Sequence, residues 1–173
     1  MPGCSAACSA IRGPVGWNAR AHHLHAPTME QPQYNLLHRE RVEVEYAPLY
    51  REFGMGTTIW SPLSSGVLTG KYSQGVPADS RMNTPGYEWL RGRIDSPQGR
   101  ADLKRADRLL PIAKELGVSP AQFAIAWCLK NPHVSTVMLG ATRRSQLEEN
   151  LGALDALDKM DEEVMRRIDA VLR

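Results

Sequence analysis

Residues 60–72 read WSPLSSGVLTGKY, a strand end that runs into a small, hydroxyl-rich loop closed by Lys71. The preceding Thr57, Thr58, Ile59 and Trp60 are β-branched or aromatic, as a buried strand favours, and Pro62 stops the strand. Ser61, Ser64, Ser65, Gly66, Thr69 and Gly70 then expose backbone N–H groups and hydroxyls with little bulk around them. With one cation at its end, such a loop is a cradle for phosphate oxygens. On residue types alone the commoner reading of such a loop is a plain Ser/Gly turn. Gln146, Glu149 and Asn150 are spaced i, i+3 and i+4, so one helix face presents three polar groups. Their plain alternative is the exposed side of an amphipathic helix, with Leu147, Leu151 and Leu154 turned inward.

Four segments resemble a known family in both order and spacing. They are Glu30-Gln31-Pro32-Gln33-Tyr34-Asn35, the WSPLSSGVLTGKY run, Ala126-Trp127-Cys128, and Leu139-Gly140-Ala141 followed by Gln146-Leu147-Glu148-Glu149-Asn150. Together they resemble the aldo-keto reductases, in the branch that includes the β-subunits of voltage-gated potassium channels and their plant and microbial relatives. The resemblance covers roughly residues 28–173 and corresponds to the C-terminal half of that family. It implies an α/β fold, the C-terminal portion of a (β/α)8 TIM barrel with about its last three strands and an incomplete barrel wall.

The resemblance also implies NADP(H) as cofactor, carbonyl reduction by hydride transfer in the complete family, and a small carbonyl substrate. By match of position, Gln31 holds the nicotinamide carboxamide and Trp60 lines the nicotinamide pocket. Ser61, Pro62, Leu63, Ser64 and Ser65 follow the pyrophosphate, Lys71 pairs with its charge, and Arg81 folds over the bound cofactor. Gly140 and Thr142 form the adenosine-side turn, and Gln146, Glu149 and Asn150 hold the adenine and nearby phosphate. NADP is favoured over NAD, with Thr142 and Arg143 or Arg144 as donors to the 2′-phosphate. The family's catalytic tyrosine, lysine, aspartate and histidine have no counterparts in the matched segments, so the chain is expected to be inactive alone. A non-catalytic regulatory protein and a truncated gene product are the competing readings.

Elsewhere the chain bounds the answer. A net charge of +2 with 23% charged residues gives no electrostatic case for nucleic acid or an anionic membrane. No apolar run reaches the ~20 residues that span a bilayer. Three cysteines, two of them Cys4 and Cys8, argue against a disulfide framework and fit a reducing, cytoplasmic setting. His22, His23 and His25 read as a tail cluster rather than a metal site.

The elements that must position the loop alternate strand and helix. Strands are expected at 28–33, 56–60 and 134–139. Helices are expected at 43–53, broken near Pro48 and stopped by Gly54, and at 102–116, 119–130 and 143–154, with a last amphipathic helix through Val164, Ile168 and Val171. Ser119-Pro120-Ala121-Gln122 has the form of a capping box. Residues 61–100 read as one long loop. Residues 1–27 contain no Asp or Glu and read as a disordered segment, a transit peptide, or unrelated sequence joined to a truncated gene, the last being favoured. With only three strands, the sheet is expected to leave two open edges and an inward face of Ile59, Val137 and Leu139. Self-association, or a partner supplying the missing half, follows from those edges.

Overall fold

A computed structural model describes residues 15–173. Three parallel strands form its sheet: β1 (Met29–Glu30), β2 (Gly56–Ile59) and β3 (Val134–Val137), in the order β1-β2-β3. Gln33 extends the first pairing by a parallel bridge to Trp60, so the 28–33 strand is present but interrupted at Gln31-Pro32. Parallel neighbours need crossover connections, and helices supply them.

Helix α1 (Gly16–Ala21) precedes β1, inside the segment 1–27 that reads as irregular from composition. The part of that expectation on residues 1–14, with Cys4 and Cys8, lies outside the described residues. Between β1 and β2 the chain makes a π-helical turn (Arg41–Glu45) and then α2 (Ala47–Phe53). The break falls just before Pro48, whose missing N–H is harmless in a first turn, and Gly54 ends α2 at φ 62°.

Residues 61–100 are not one loop. They contain 3₁₀ turns at Ser64–Thr69 and Arg81–Asn83, helix α3 (Glu88–Asp95), and the start of α4 (Pro97–Glu115), capped by Ser96 Oγ on the Gly99 N–H at 3.0 Å. Leu90 and Ile94, four apart, give α3 its buried stripe, which Gly86, Gly92 and Pro97 obscure in the sequence. Helix α4 runs through Pro111 without ending. Helix α5 (Pro120–Leu129) begins with the expected capping box: Ser119 Oγ accepts from Gln122 N at 3.2 Å, and Gln122 Oε1 accepts from Ser119 N at 3.0 Å. Helix α6 (Arg144–Leu151) follows β3, and α7 (Glu162–Leu172) closes the chain with Val164 and Ile168 buried.

The core lies between the sheet and the helices. Phe123, Ala124, Ala126, Trp127 and Cys128 of α5 meet Leu109 and Ile112 of α4, Ile168 of α7 and Ile59 of β2. Here the face assignment of β2 corrects the sequence expectation. Ile59 is fully buried on the helix side, as is Thr57, whose hydroxyl donates to His133 O at 2.7 Å. Strand alternation therefore puts Gly56, Thr58 and Trp60 on the open side. On the neighbouring strand the register irregularity at Thr57/Thr58 inserts Ser135 into β3, so Val134 and Val137, three apart, both turn to the core.

No closed barrel forms among the described residues; β1 and β3 are the sheet's two edges. Leu147 and Leu151 of α6, and Leu154 in the turn after it, are exposed rather than turned inward. No described helix is long and apolar enough to cross a membrane, and no described cluster of His, Cys, Asp or Glu could hold a metal ion.

Candidate functional site

Parallel strands deliver three connections to one end of the sheet: residues 31–38 after β1, 60–83 after β2 and 138–143 after β3. The first two are stitched together. Trp60 N donates to Pro32 O at 3.0 Å and Tyr34 N donates to Trp60 O at 3.3 Å, which fixes the half-exposed Trp60 side chain on the open face. Met138 N donates to Ile59 O at 2.9 Å, which brings the third connection alongside. Across that same face Gln31 Nε2 donates to Met138 Sδ at 3.0 Å.

The loop after Trp60 holds a run of left-handed residues: Ser61 (φ 58°), Ser64 (φ 47°), Ser65 (φ 57°) and Gly66 (φ 92°). For a serine this conformation costs roughly 1–3 kcal/mol, so three within five residues persist only where the surroundings hold them. The holding contacts are specific. Ser64 N donates to Ser61 O at 3.0 Å, Gly66 N and Leu68 N both donate to Leu63 O at 2.9 and 3.2 Å, and Thr69 Oγ1 donates to Gly66 O at 2.8 Å. Pro62 and Ser64 are buried beneath the loop, whereas Ser61, Leu63 and Ser65 are partly exposed.

Gly66 is the tightest point. A Cβ built there would lie 2.6 Å from Lys71 Cε and 2.8 Å from Nζ, so the lysine side chain folds back over the glycine. The ammonium also sits 4.9 Å from the centre of the Tyr72 ring. Tyr72 in turn ties the loop to the next segment: its hydroxyl donates to Ser65 O at 3.3 Å and lies 3.3 Å from Ser80 Oγ, which caps the Arg81 turn through Met82 N at 3.2 Å. Arg81 is exposed, its guanidinium 5.0 Å from the centre of the Tyr87 ring. Asp79 then reaches the third connection by an ion pair with Arg143 at 3.1 Å. The 77–83 segment therefore straps the loop after β2 to the start of α6.

On the β3 side, Gly140 and Thr142 are exposed, and Thr142 N and Oγ1 both donate to Gln146 Oε1, at 3.0 and 3.2 Å. Gln146 and Glu149 are exposed; Glu149 O accepts from Gln122 Nε2 at 3.0 Å. Asn150 differs from them and is buried. Arg144 pairs with Glu148 at 2.7 Å, and Arg143 is engaged by Asp79. The residues singled out in the sequence thus gather on three adjacent connections, with Asn150 as the inward member.

Asn35 is a positioning residue that residue type alone did not mark. It is completely buried, its Nδ2 donates to Ser61 O at 2.9 Å, and its Oδ1 accepts from Leu37 N at 2.9 Å and His38 N at 3.1 Å. One amide thus fixes the β1 connection and the first strained serine together. The signal available in sequence was an Asn, a residue type that opens Asx turns. Asn35→Ala should cost about 2–3 kcal/mol in urea denaturation, because it removes three hydrogen bonds of a buried amide and leaves the Leu37 N–H without its acceptor. A loss under about 0.5 kcal/mol would show that the loop holds its shape without this clamp.

Two titratable groups near these elements are shifted. His38 is held below the ordinary histidine range, first by burial and then by Arg93, whose Nη2 lies 3.1 Å from its Nε2. Burial pushes the Tyr34 phenol far up, and the hydroxyl is held by Glu43 Oε1 at 2.8 Å and Asn131 Nδ2 at 3.1 Å.

Comparison with known proteins gives this geometry a context. The model of the aldo/keto reductase family matches residues 15–173, beginning before the Thr28 boundary expected from motifs. A putative voltage-gated potassium channel subunit beta of Schizosaccharomyces pombe is 42% identical over 170 residues, covering 92% of this chain and 49% of that protein. A probable voltage-gated potassium channel subunit beta of Oryza sativa subsp. japonica is 50% identical over 150 residues, covering 85% of this chain and 44% of that protein. The chain spans about half the length of the curated relatives it matches.

Proposed function

The chain belongs to the aldo/keto reductase family, and on that premise we propose that it is the NADP(H)-binding, C-terminal portion of a (β/α)8 oxidoreductase. The observation that carries this reading is the Ser61–Gly66 run of left-handed residues under a folded-back lysine. A neutral, small-residue concavity with one ammonium at its rim suits a pyrophosphate, and a side chain at Gly66 would fill it. Ser61, Pro62, Leu63, Ser64 and Ser65 would follow the pyrophosphate, with Lys71 and Arg81 neutralising it. Gln31 would orient the nicotinamide carboxamide beside Trp60. Gly140, Thr142, Gln146 and Glu149 would hold the adenosine end, and Asn150, being buried, would brace α6 from beneath. When bound, NADPH supplies the hydride that reduces a carbonyl to an alcohol. A cytoplasmic location agrees with the free, buried Cys128.

The open sheet belongs to the same reading. Edge strands β1 and β3, together with the exposed Leu147, Leu151 and Leu154, fit further βα units of the same barrel, carried on a partner chain or supplied by self-association. The relatives' description as channel β subunits favours a second reading, in which the cofactor site regulates a partner rather than serving turnover. Co-purification of a membrane channel would decide for it.

Lys71→Ala and Arg81→Ala test the site. Each removes a charge-assisted contact to phosphate and should weaken NADPH binding by about 1–3 kcal/mol, read by fluorescence titration. Equal affinity in both variants and the parent would overturn the assignment of this loop as the cofactor clamp.

A further inference from the structure

The open face of the sheet carries two thioethers at its surface. Met29 is 51% exposed and Met138 37%, whereas Met55, Met82 and Met160 are 5%, 2% and 1% exposed. Both surface sulfurs already accept a hydrogen bond from a side chain across the strands. Gln31 Nε2 donates to Met138 Sδ at 3.0 Å, and Thr58 Oγ1 donates to Met29 Sδ at 3.4 Å. A thioether is a weak acceptor, so the Gln31 amide rests on a partner it readily exchanges for a ligand carbonyl.

We infer that Met138 is a reversible oxidation site that governs Gln31: conversion to the sulfoxide gives the Gln31 amide a strong acceptor and withholds it from a ligand. The oxidant is a peroxide. The sulfur lone pair attacks one peroxide oxygen, the S–O bond forms as the O–O bond breaks, and the departing hydroxide takes the remaining proton and leaves as water. Sulfur loses two electrons and the peroxide gains them. Reductases of methionine sulfoxide restore the thioether, so the change is reversible. A sulfinyl oxygen stands roughly one bond length beyond the sulfur, so the Gln31 amide, now 3.0 Å from Sδ, shifts back by about that length to donate to it. Met29 is the internal comparison, since its donor is a threonine hydroxyl rather than Gln31.

The consequence for cofactor affinity rests on the proposed role of Gln31; the capture of its amide does not. The chain is treated with limiting hydrogen peroxide, and the mass gain of each methionine peptide is followed in time. Met138 and Met29 should oxidise well before Met55, Met82 and Met160. The side-chain amide resonance of Gln31, identified with Gln31→Glu, should shift on oxidation of the parent chain and stay in place in Met138→Leu. NADPH affinity of the parent should fall about fivefold on oxidation, the worth of one neutral hydrogen bond, and recover with methionine sulfoxide reductase. Oxidation of Met138 no faster than the buried methionines overturns the inference, as does a Gln31 resonance that ignores it or moves equally in Met138→Leu. Failure of the untreated chain to bind NADPH overturns the cofactor reading alone, because the mass and resonance measurements read the sulfur and amide directly.

Discussion

Pure chain comprising residues 1–173 is expected to give no NADPH-dependent reduction of a generic aldehyde panel. Carbonyl reduction needs a proton donor on the face where hydride is delivered, and a positioned general acid supplies roughly 10²–10⁴-fold in rate. The proposed hydride end is the Gln31–Trp60 corner of the open sheet face. The tyrosines nearest in sequence are turned elsewhere. Tyr34 is buried on the helix side, with its hydroxyl between Glu43 and Asn131 and its phenol pushed far up by burial, so it neither reaches the open face nor gives up its proton. Tyr72 is buried beneath the loop after β2 and spends its hydroxyl on Ser65 O and Ser80 Oγ. Tyr50 stacks on His133 at 4.3 Å between ring centres, and Tyr87 lies under Arg81. His38 faces Arg93, away from Gln31. Turnover by rigorously purified protein that falls in Tyr34→Phe or Tyr72→Phe would show that one of these phenols reorients to serve as the acid. Turnover that appears only when a chain carrying the preceding strands is added is the expected positive control.

The sequence was most legible where local chemistry decides local structure. The Ser119–Gln122 capping box, the Gly54 stop and the break at Pro48 follow from which backbone groups a side chain can satisfy or remove. Helix α5 was recognisable as buried because it is apolar all round. The three connections of the site were visible as motifs, since small hydroxyl residues and glycines mark a strained loop whatever surrounds it. What escaped depended on partners distant in sequence. Asn35 gains its role from Ser61 O, a contact across 26 residues. The face taken by Ile59 depends on which side of the sheet the helices cover, which strict alternation along β2 leaves open. Leu147, Leu151 and Leu154 follow the inward-facing pattern of a packed helix, yet nothing within the described residues covers them.

Trp127→Ala should be the most damaging single core substitution, costing about 3–5 kcal/mol in urea denaturation. Trp127 is only 2% exposed and packs from the last turn of α5 against the β1 connection. Its ring lies 5.0 Å from that of Tyr34 at an interplanar angle of 32°, and the Arg39 guanidinium sits 5.0 Å from the ring centre. Arg39 is itself braced by Glu43 at 3.0 Å and Asp169 of α7 at 2.6 Å, so the indole supports an ion-pair network that joins the β1 connection to the last helix. Alanine removes the ring contacts and leaves a cavity that three separate elements cannot collapse together to fill. Phenylalanine should cost much less, within about 1.5 kcal/mol, because it keeps most of the apolar volume. It also removes an indole N–H that is buried without a hydrogen-bond partner, a desolvation cost the parent bears. The damage should carry into the site. Tyr34 N holds Trp60 O, and the neighbouring Asn35 holds Ser61 O, so a Tyr34 ring freed from Trp127 loosens the anchor of the strained serines. Trp127→Phe should therefore bind NADPH as the parent does, while any folded fraction of Trp127→Ala binds it more weakly. An alanine variant that loses under about 1 kcal/mol would mean that the β1 connection and α7 are held together by contacts other than this indole.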